Sequence, residues 1–403
     1  MRFYPRINRI DSPAGAAALM KRAGVSPRGI ELMTPKLDFV VLHLSQLRHP
    51  AATILKQEAL AVGAEAAVHR GLVVREVDHT DVILGGTLTQ LRLLIQKLGD
   101  QQFGLSKLAA EISTVLERRN QSPTWRIRGQ RLELDRPQIM GIINLTDDSF
   151  SGDGLASNVE QAVSQGKAML AAGANILDLG AESSRPGAAP LTAEVELARL
   201  LPVVRRLATE TDALISVDTY KPVVARGVLA AGARIINDIT GLRGMDGSTG
   251  MAEVAAEHDA GVVIMHMRGE PGTMQSSPSY DNLGAEIHRF FTVQIEAATS
   301  AGLREENIVL DPGIGFGKTL THNLALLNHL EWFTSLGRPI LVGASRKSFI
   351  NQLTNASVED RLSGTIAAHT VALLRGAQIV RVHDVAEARQ MNTVADAIRS
   401  TGI

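Results

Sequence analysis

From residue 137 to the end of the chain, short aliphatic runs alternate with longer segments whose apolar residues recur at helical spacing. QIMGIINLT, ILDLGA, LISVDTY, IINDITG, VVIMHMR, IVLDPG, PILVGAS and IVRVHDV read as strands. Their consecutive branched residues suit strands buried on both faces. Between them, VEQAVSQGKAMLAAG, EVELARLLPVVRRLAT, KPVVARGVLAAG, MAEVAAEH, NLGAEIHRFFTVQIEAATSAG, THNLALLNHLEWF, RLSGTIAAHTVALLRGA and AEARQMNTVADAIRS read as helices. Several close on glycine (Gly173, Gly232, Gly302), the residue suited to a left-handed C-terminal cap. Eight strand–helix units over 137–403 predict a (β/α)8 TIM barrel, whose usual length is roughly 250 residues. A doubly wound open sheet would carry a glycine-rich dinucleotide turn after its first strand, and the sequence has none there.

Residues 1–120 alternate too: FVVLHLSQL and DVILGGTLT read as strands, ATILKQEALAVGA, QLRLLIQKLG and LSKLAAEISTVLERR as helices. This predicts a small separate α/β domain. Residues 121–136 are polar and punctuated by proline, without helical period, and read as a linker. A chain starting near Gln130 is accordingly expected to fold by itself.

Composition narrows the class. With 403 residues, 45% apolar and 21% charged, the chain is a folded globular protein rather than a disordered one. No apolar run approaches the roughly 18 residues of a membrane span, and the first residues lack a leader's apolar stretch, so the cytoplasm is the expected compartment. There is no cysteine, which excludes disulfides and thiolate chemistry. A net charge of −1 with 3% aromatic residues argues against a nucleic-acid partner.

In such a barrel the chemistry sits at the C-terminal strand ends. Those ends carry Asn144, Glu182, Ser184, Arg185, Asp218, Asn237, Asp238, His266, Arg268, Asp311, Ser345, Arg346, Lys347, Arg381, His383 and Asp384. Arg381 and His383 are two apart and share a face, with Val380 and Val382 on the other, so the basic pair is expected to point into the barrel mouth. Asp218, Asp311 and Asn237 suit a flat nitrogen heterocycle with donor N–H groups; the plainer alternative for Asp218 is an ion pair with a neighbour. Arg185, Arg346, Lys347, Arg381 and His383 suit a phosphate or diphosphate. GIGFGKT is not a phosphate-binding P-loop, because Pro312 stands where its first glycine belongs. Gly315 and Gly317 either let the backbone approach a ligand or serve as turn glycines. These residues together point to a polar heterocycle carrying an anionic phosphate group.

Eight blocks, in order and spacing, resemble the dihydropteroate synthases. They are MGIINLTDDSFSGDG, GAESSRPGA, SVDTYK, IINDITG, VVIMHMRGEPGTMQ, DPGIGFGK, GASRKSFI and RVHDV, and they run through nearly all of 137–403. The resemblance implies that Asp218, Asn237, Asp311 and Lys347 hold a pterin ring. It implies that Asn144, Arg381 and His383 bind a diphosphate with its Mg2+, for which Asn144 is the protein ligand. Ser184, Arg185, Pro186, Phe316 and Ser348 would line a p-aminobenzoate site. Asp218, Lys347, Arg381 and His383 would carry catalysis, in a homodimer of the family's kind that takes small-molecule substrates. The implied reaction condenses 7,8-dihydropterin-6-ylmethyl diphosphate with p-aminobenzoate, giving 7,8-dihydropteroate and diphosphate. Three stretches depart from the family pattern: Asp147 replaces a proline, Gly152-Asp153-Gly154 replaces Asp-Gly-Gly, and Ser184 replaces a threonine. Asp147 is expected to add a hard oxygen near the metal. The alternatives are a silent pterin-binding paralogue with a partner-recruiting N-terminal domain, and a pterin-dependent corrinoid methyltransferase on the same barrel.

Overall fold

The structure, a computed structural model, describes residues 4, 8, 10, 12–119, 123–145, 155–182, 190–244, 250–270 and 272–400. It divides into two compact units, 1–120 (with 399–403) and 121–398.

In the first unit, α1 (Pro13–Arg22) and α2 (Pro27–Leu37) each begin behind a serine, Ser12 and Ser26, whose hydroxyl accepts a backbone N–H of the first turn. They lead into β1 (Phe39–Arg48), α3 (His49–Ala61), β2 (Glu65–Val68), β3 (His79–Thr87), α4 (Leu88–Gly99) and α5 (Leu105–Arg118). The strands form an antiparallel sheet with β3 in the middle. Leu55, Leu84, Leu91, Leu94, Leu98 and Leu105 make its core. The sequence missed β2, α1 and α2: β2 is only four residues long, and the two helices rest on caps more than on a long apolar stripe.

The second unit opens with a hairpin, β4 (Thr124–Ile127) and β5 (Gln130–Glu133). This corrects the expectation of a linker over 121–136. Trp125, Ile127 and Leu134 are buried against Met140, Ile176, Ile235, Val263, Val309, Leu341 and Ile379, the innermost side chains of the barrel strands. The Trp125 indole N–H donates to the Asn307 carbonyl at 2.8 Å. Gly261 makes the fit possible, since a Cβ there would stand 3.0 Å from both Trp125 and Ile127. The hairpin therefore forms the floor of the barrel.

The barrel strands are β6 (Gln138–Asn144), β7 (Ile176–Gly180), β8 (Leu214–Asp218), β9 (Ile235–Asp238), β10 (Gly261–Met265), β11 (Ile308–Asp311), β12 (Leu341–Val342) and β13 (Ile379–Val382). All neighbours pair in parallel, β13 returns to β6, and a parallel bridge between Leu310 and Ile340 closes the ring, so the fold is the predicted TIM barrel. The helices are α6 (Leu155–Ala172), α7 (Ala193–Glu210), α8 (Pro222–Ala231), α9 (Met251–Glu257), α10 (Leu283–Ser300), α11 (Leu320–Asn328), α12 (Glu331–Thr334), α13 (Ser348–Thr354), α14 (Leu362–Leu374) and α15 (Val385–Ser400). Alternation sorts each strand: Leu177, Leu179, Ile215, Val217, Ile236, Val262, Ile264, Val380 and Val382 pack outward against the helices. Their inward neighbours form the floor below and a polar layer above.

Candidate active site

The inward positions nearest the strand ends change from apolar to charged. Asp178 on β7, Asp218 on β8, Asn237 on β9, Asp311 on β11 and Arg381 on β13 occupy this layer. Arg381 is its hub: Nε donates to Asp178 Oδ2 at 2.6 Å, and Nη2 donates to Asp218 Oδ2 at 2.9 Å. Asn237 Nδ2 donates to the same Asp178 oxygen at 3.1 Å. Burial works against the Arg381 charge, but Asp178 and Asp218 outweigh it and hold the guanidinium protonated. Burial pushes the Asp218 carboxyl up, with Arg381 opposing. The Asp311 carboxyl is also raised by burial, while its Oδ1 accepts the Gly313 N–H at 2.7 Å.

Arg381 thus faces inward, as alternation requires, yet two of its nitrogens are taken by carboxylates below the rim. Asp218 makes the ion pair that the sequence left open as an alternative. Asp178 was missed, although its place in ILDLGA, two residues before Gly180 and in phase with it, is the legible signal of an inward carboxylate.

Two further groups close the layer. Lys347 Nζ lies 4.0 Å from the centroid of the Phe316 ring, and burial, with Arg381 adding repulsion, lowers its pKa to about 8. Phe316 sits in the loop after β11, which Lys318 fixes. Its ammonium is buried, within 3.0 Å of His266 Nδ1, and donates to the carbonyls of Phe316 (2.9 Å) and His266 (3.2 Å). Burial lowers Lys318 to about 7 and, with Lys318 nearby, His266 to about 2. Gly313 is left-handed there, and a Cβ would collide with the His266 carbonyl at 2.0 Å. A Cβ on Gly317 would stand 2.2 Å from the Arg268 carbonyl. These two glycines admit the neighbouring loop's backbone. His266 is therefore occupied by Lys318 rather than open at the mouth.

Other candidates have structural partners. Asp238 faces the helix layer and caps its own turn, accepting from Thr240 N, Thr240 Oγ1 and Leu242 N. Arg268 pairs with Glu286 at 2.7 Å, and Arg346 grips Asp384 at 3.1 and 2.5 Å. Glu182 accepts Lys221 Nζ at 2.5 Å, the Tyr220 hydroxyl at 2.9 Å and the Leu191 N–H at 3.0 Å. Asn144 ends β6 exposed at the rim, and Ser348 opens α13 exposed. His383 Nδ1 lies 2.9 Å from Ser345 Oγ. Ser184, Arg185, Pro186 and Asp147 lie outside the described residues. Among the described residues no three acidic or histidine side chains converge as a metal site, and no helix is long and apolar enough to cross a membrane.

Comparison with known proteins gives the same barrel. The pterin binding enzyme family matches residues 140–383. The dihydropteroate synthase of Escherichia coli K12 is 46% identical over 273 residues, 68% of this chain and 95% of that protein. The structure of Xanthomonas albilineans dihydropteroate synthase in complex with 7,8-dihydropteroate superposes with a TM-score of 0.62 at 41% identity, covering 69% of this chain and all of that one. A probable bifunctional folylpolyglutamate synthase/dihydropteroate synthase of Halobacterium salinarum is 38% identical over 392 residues, 97% of this chain and 47% of that protein. Its match takes in the N-terminal unit as well. On the strength of a family match across more than half its length and of these relatives, the chain belongs to the pterin binding enzymes and, among them, to the dihydropteroate synthases.

Proposed function

We propose the following division of labour for this synthase. Asp218, Asn237, Asp311 and Lys347 hold the pterin of 7,8-dihydropterin-6-ylmethyl diphosphate, the two acids and the amide matching the ring's N–H and acceptor edge. Phe316, Ser348 and the segment carrying Ser184, Arg185 and Pro186 receive p-aminobenzoate. Arg381 and His383 take the diphosphate; Arg381 Nη1 makes no hydrogen bond among the described residues and remains for it. The observation carrying this reading is the polar layer in which Asp178 and Asp218 pair with the Arg381 guanidinium, Asn237 bonds Asp178, and Lys347 stands over the Phe316 ring.

In the reaction the aniline nitrogen forms a bond to the methylene carbon as the bond from that carbon to the diphosphate oxygen breaks. The amine proton leaves to water or to the departing anion. Positive charge builds on the pterin methylene, where Asp218 stabilises it, while Arg381 and His383 stabilise the leaving group. The amine is nucleophilic when neutral, so Lys347 serves binding rather than proton transfer.

A Mg2+ ion fits a site with a single amide oxygen, Asn144 Oδ1, because this hard cation keeps water and substrate phosphate oxygens as its other ligands. When bound it supplies charge neutralisation at the leaving diphosphate. The cytoplasm as compartment and a homodimer as assembly complete the proposal, the latter resting on the family resemblance.

The test is diphosphate release from the purified chain with dihydropterin diphosphate, p-aminobenzoate and Mg2+. Release that requires both organic substrates supports the reading. Pterin binding without release would assign the chain a silent, pterin-binding role.

A further inference from the structure

β12 has only two residues, and the backbone after it leaves the sheet while still bearing Ser345, Arg346 and Lys347. Helix α14 takes over the missing hydrogen bonds. The Ala344 N–H donates to His369 Nε2 at 3.0 Å, and the Arg346 N–H donates to Thr365 Oγ1 at 3.0 Å. Arg361 Nη1 donates to the Arg346 carbonyl at 3.0 Å, and Arg346 itself grips Asp384. Ser345, held on both sides, is 6% exposed.

Its hydroxyl meets His383 twice. Ser345 Oγ accepts the His383 backbone N–H at 3.3 Å and lies 2.9 Å from Nδ1. A hydroxyl has one hydrogen to donate. Among the described residues Oγ touches no other acceptor, so donation to Nδ1 is the arrangement that satisfies the hydroxyl hydrogen, and it requires an unprotonated Nδ1. Burial, with Arg381 and Arg346 nearby and only Asp384 opposing, lowers His383 to about 4 and leaves the ring one proton. In that arrangement the proton is on Nε2.

We propose that Ser345 is a positioning residue that fixes His383 as the Nε2–H tautomer, so that the ring offers a donor to the leaving diphosphate. The opposite tautomer would turn a lone pair toward anionic oxygen. The inference rests on the diphosphate role of His383, and the two can be tested apart.

Nitrogen-15 spectra of histidine-labelled full-length chain, with the His383 signals assigned by loss in His383→Gln, report the tautomer directly. The expected result is protonated Nε2 and bare Nδ1 in the natural chain, a mixture in Ser345→Ala, and restoration in Ser345→Thr. Inhibition by added inorganic diphosphate should weaken about tenfold in Ser345→Ala, as for a lost hydrogen bond to a charged group, and recover in Ser345→Thr. KM for p-aminobenzoate should not change. Protonated Nδ1 in the natural chain, or an unaltered tautomer in Ser345→Ala, overturns the role of Ser345. Unaltered diphosphate inhibition in His383→Gln overturns the diphosphate role instead.

Discussion

At the scale of single residues, the polar layer is organised around one cation with two carboxylates. Removing the Asp218 charge leaves Asp178 on Arg381, so the layer should survive while the stabilisation of a positive methylene is lost. Asp218→Asn is expected to lower kcat about a hundredfold, the scale for losing one electrostatic partner of a transition state, with little change in thermal midpoint. Near-normal diphosphate release in that variant would remove Asp218 from the chemistry. His369 offers a pH test. Burial lowers its pKa to about 4, against about 6.5 in the unfolded chain. Between those values the unfolded chain takes up a proton that the folded chain refuses. The stability His369 confers is therefore full above the unfolded pKa and is lost as pH falls toward the folded one. Between about pH 6.5 and 5 the loss from this one group is about 2 kcal/mol. His266 and His383 act in the same direction, and the raised Asp218 acts against them. Urea midpoints at about pH 7 and pH 5 should converge in His369→Gln, whose amide oxygen can still accept from Ala344. An acid-induced loss as large as in the natural chain would contradict this.

At the scale of elements, the hairpin β4–β5 carries more weight than its eight strand residues suggest. Trp125 is wholly buried in the barrel floor, and Trp125→Ala should cost about 3–5 kcal/mol, read as a lower urea midpoint. The same packing revises where the chain can be cut. A chain starting at Gln130 loses β4 and should unfold without a cooperative transition, whereas one starting at Gln121 keeps the floor and should melt cooperatively. The hairpin was illegible because four-residue strands in a polar, proline-marked stretch have no period long enough to read. The eight barrel units were legible although several of their strands are as short, because each aliphatic run is followed by a helix and the pair repeats eight times.

At the scale of the whole molecule, every described candidate residue lies within 121–398, and the first unit has a leucine-rich core of its own. Deleting residues 1–120 should therefore leave kcat/KM for both substrates unchanged, measured by diphosphate release. A large loss would give the N-terminal unit a part in catalysis.

Alternation and period in the sequence determined the barrel, the end at which polar side chains gather, and the inward face of Arg381. These are local properties, since they depend on which way successive side chains point along one strand. The sequence did not determine partnership. Arg381 is more than 160 residues from Asp218 in the chain, and only closure of the ring brings the two to 2.9 Å. The same closure selected Asp178 as a member of the layer, bound His266 to Lys318, and turned a presumed linker into the barrel floor. Pairing across a closed sheet depends on register between distant strands, and register is fixed by tertiary packing.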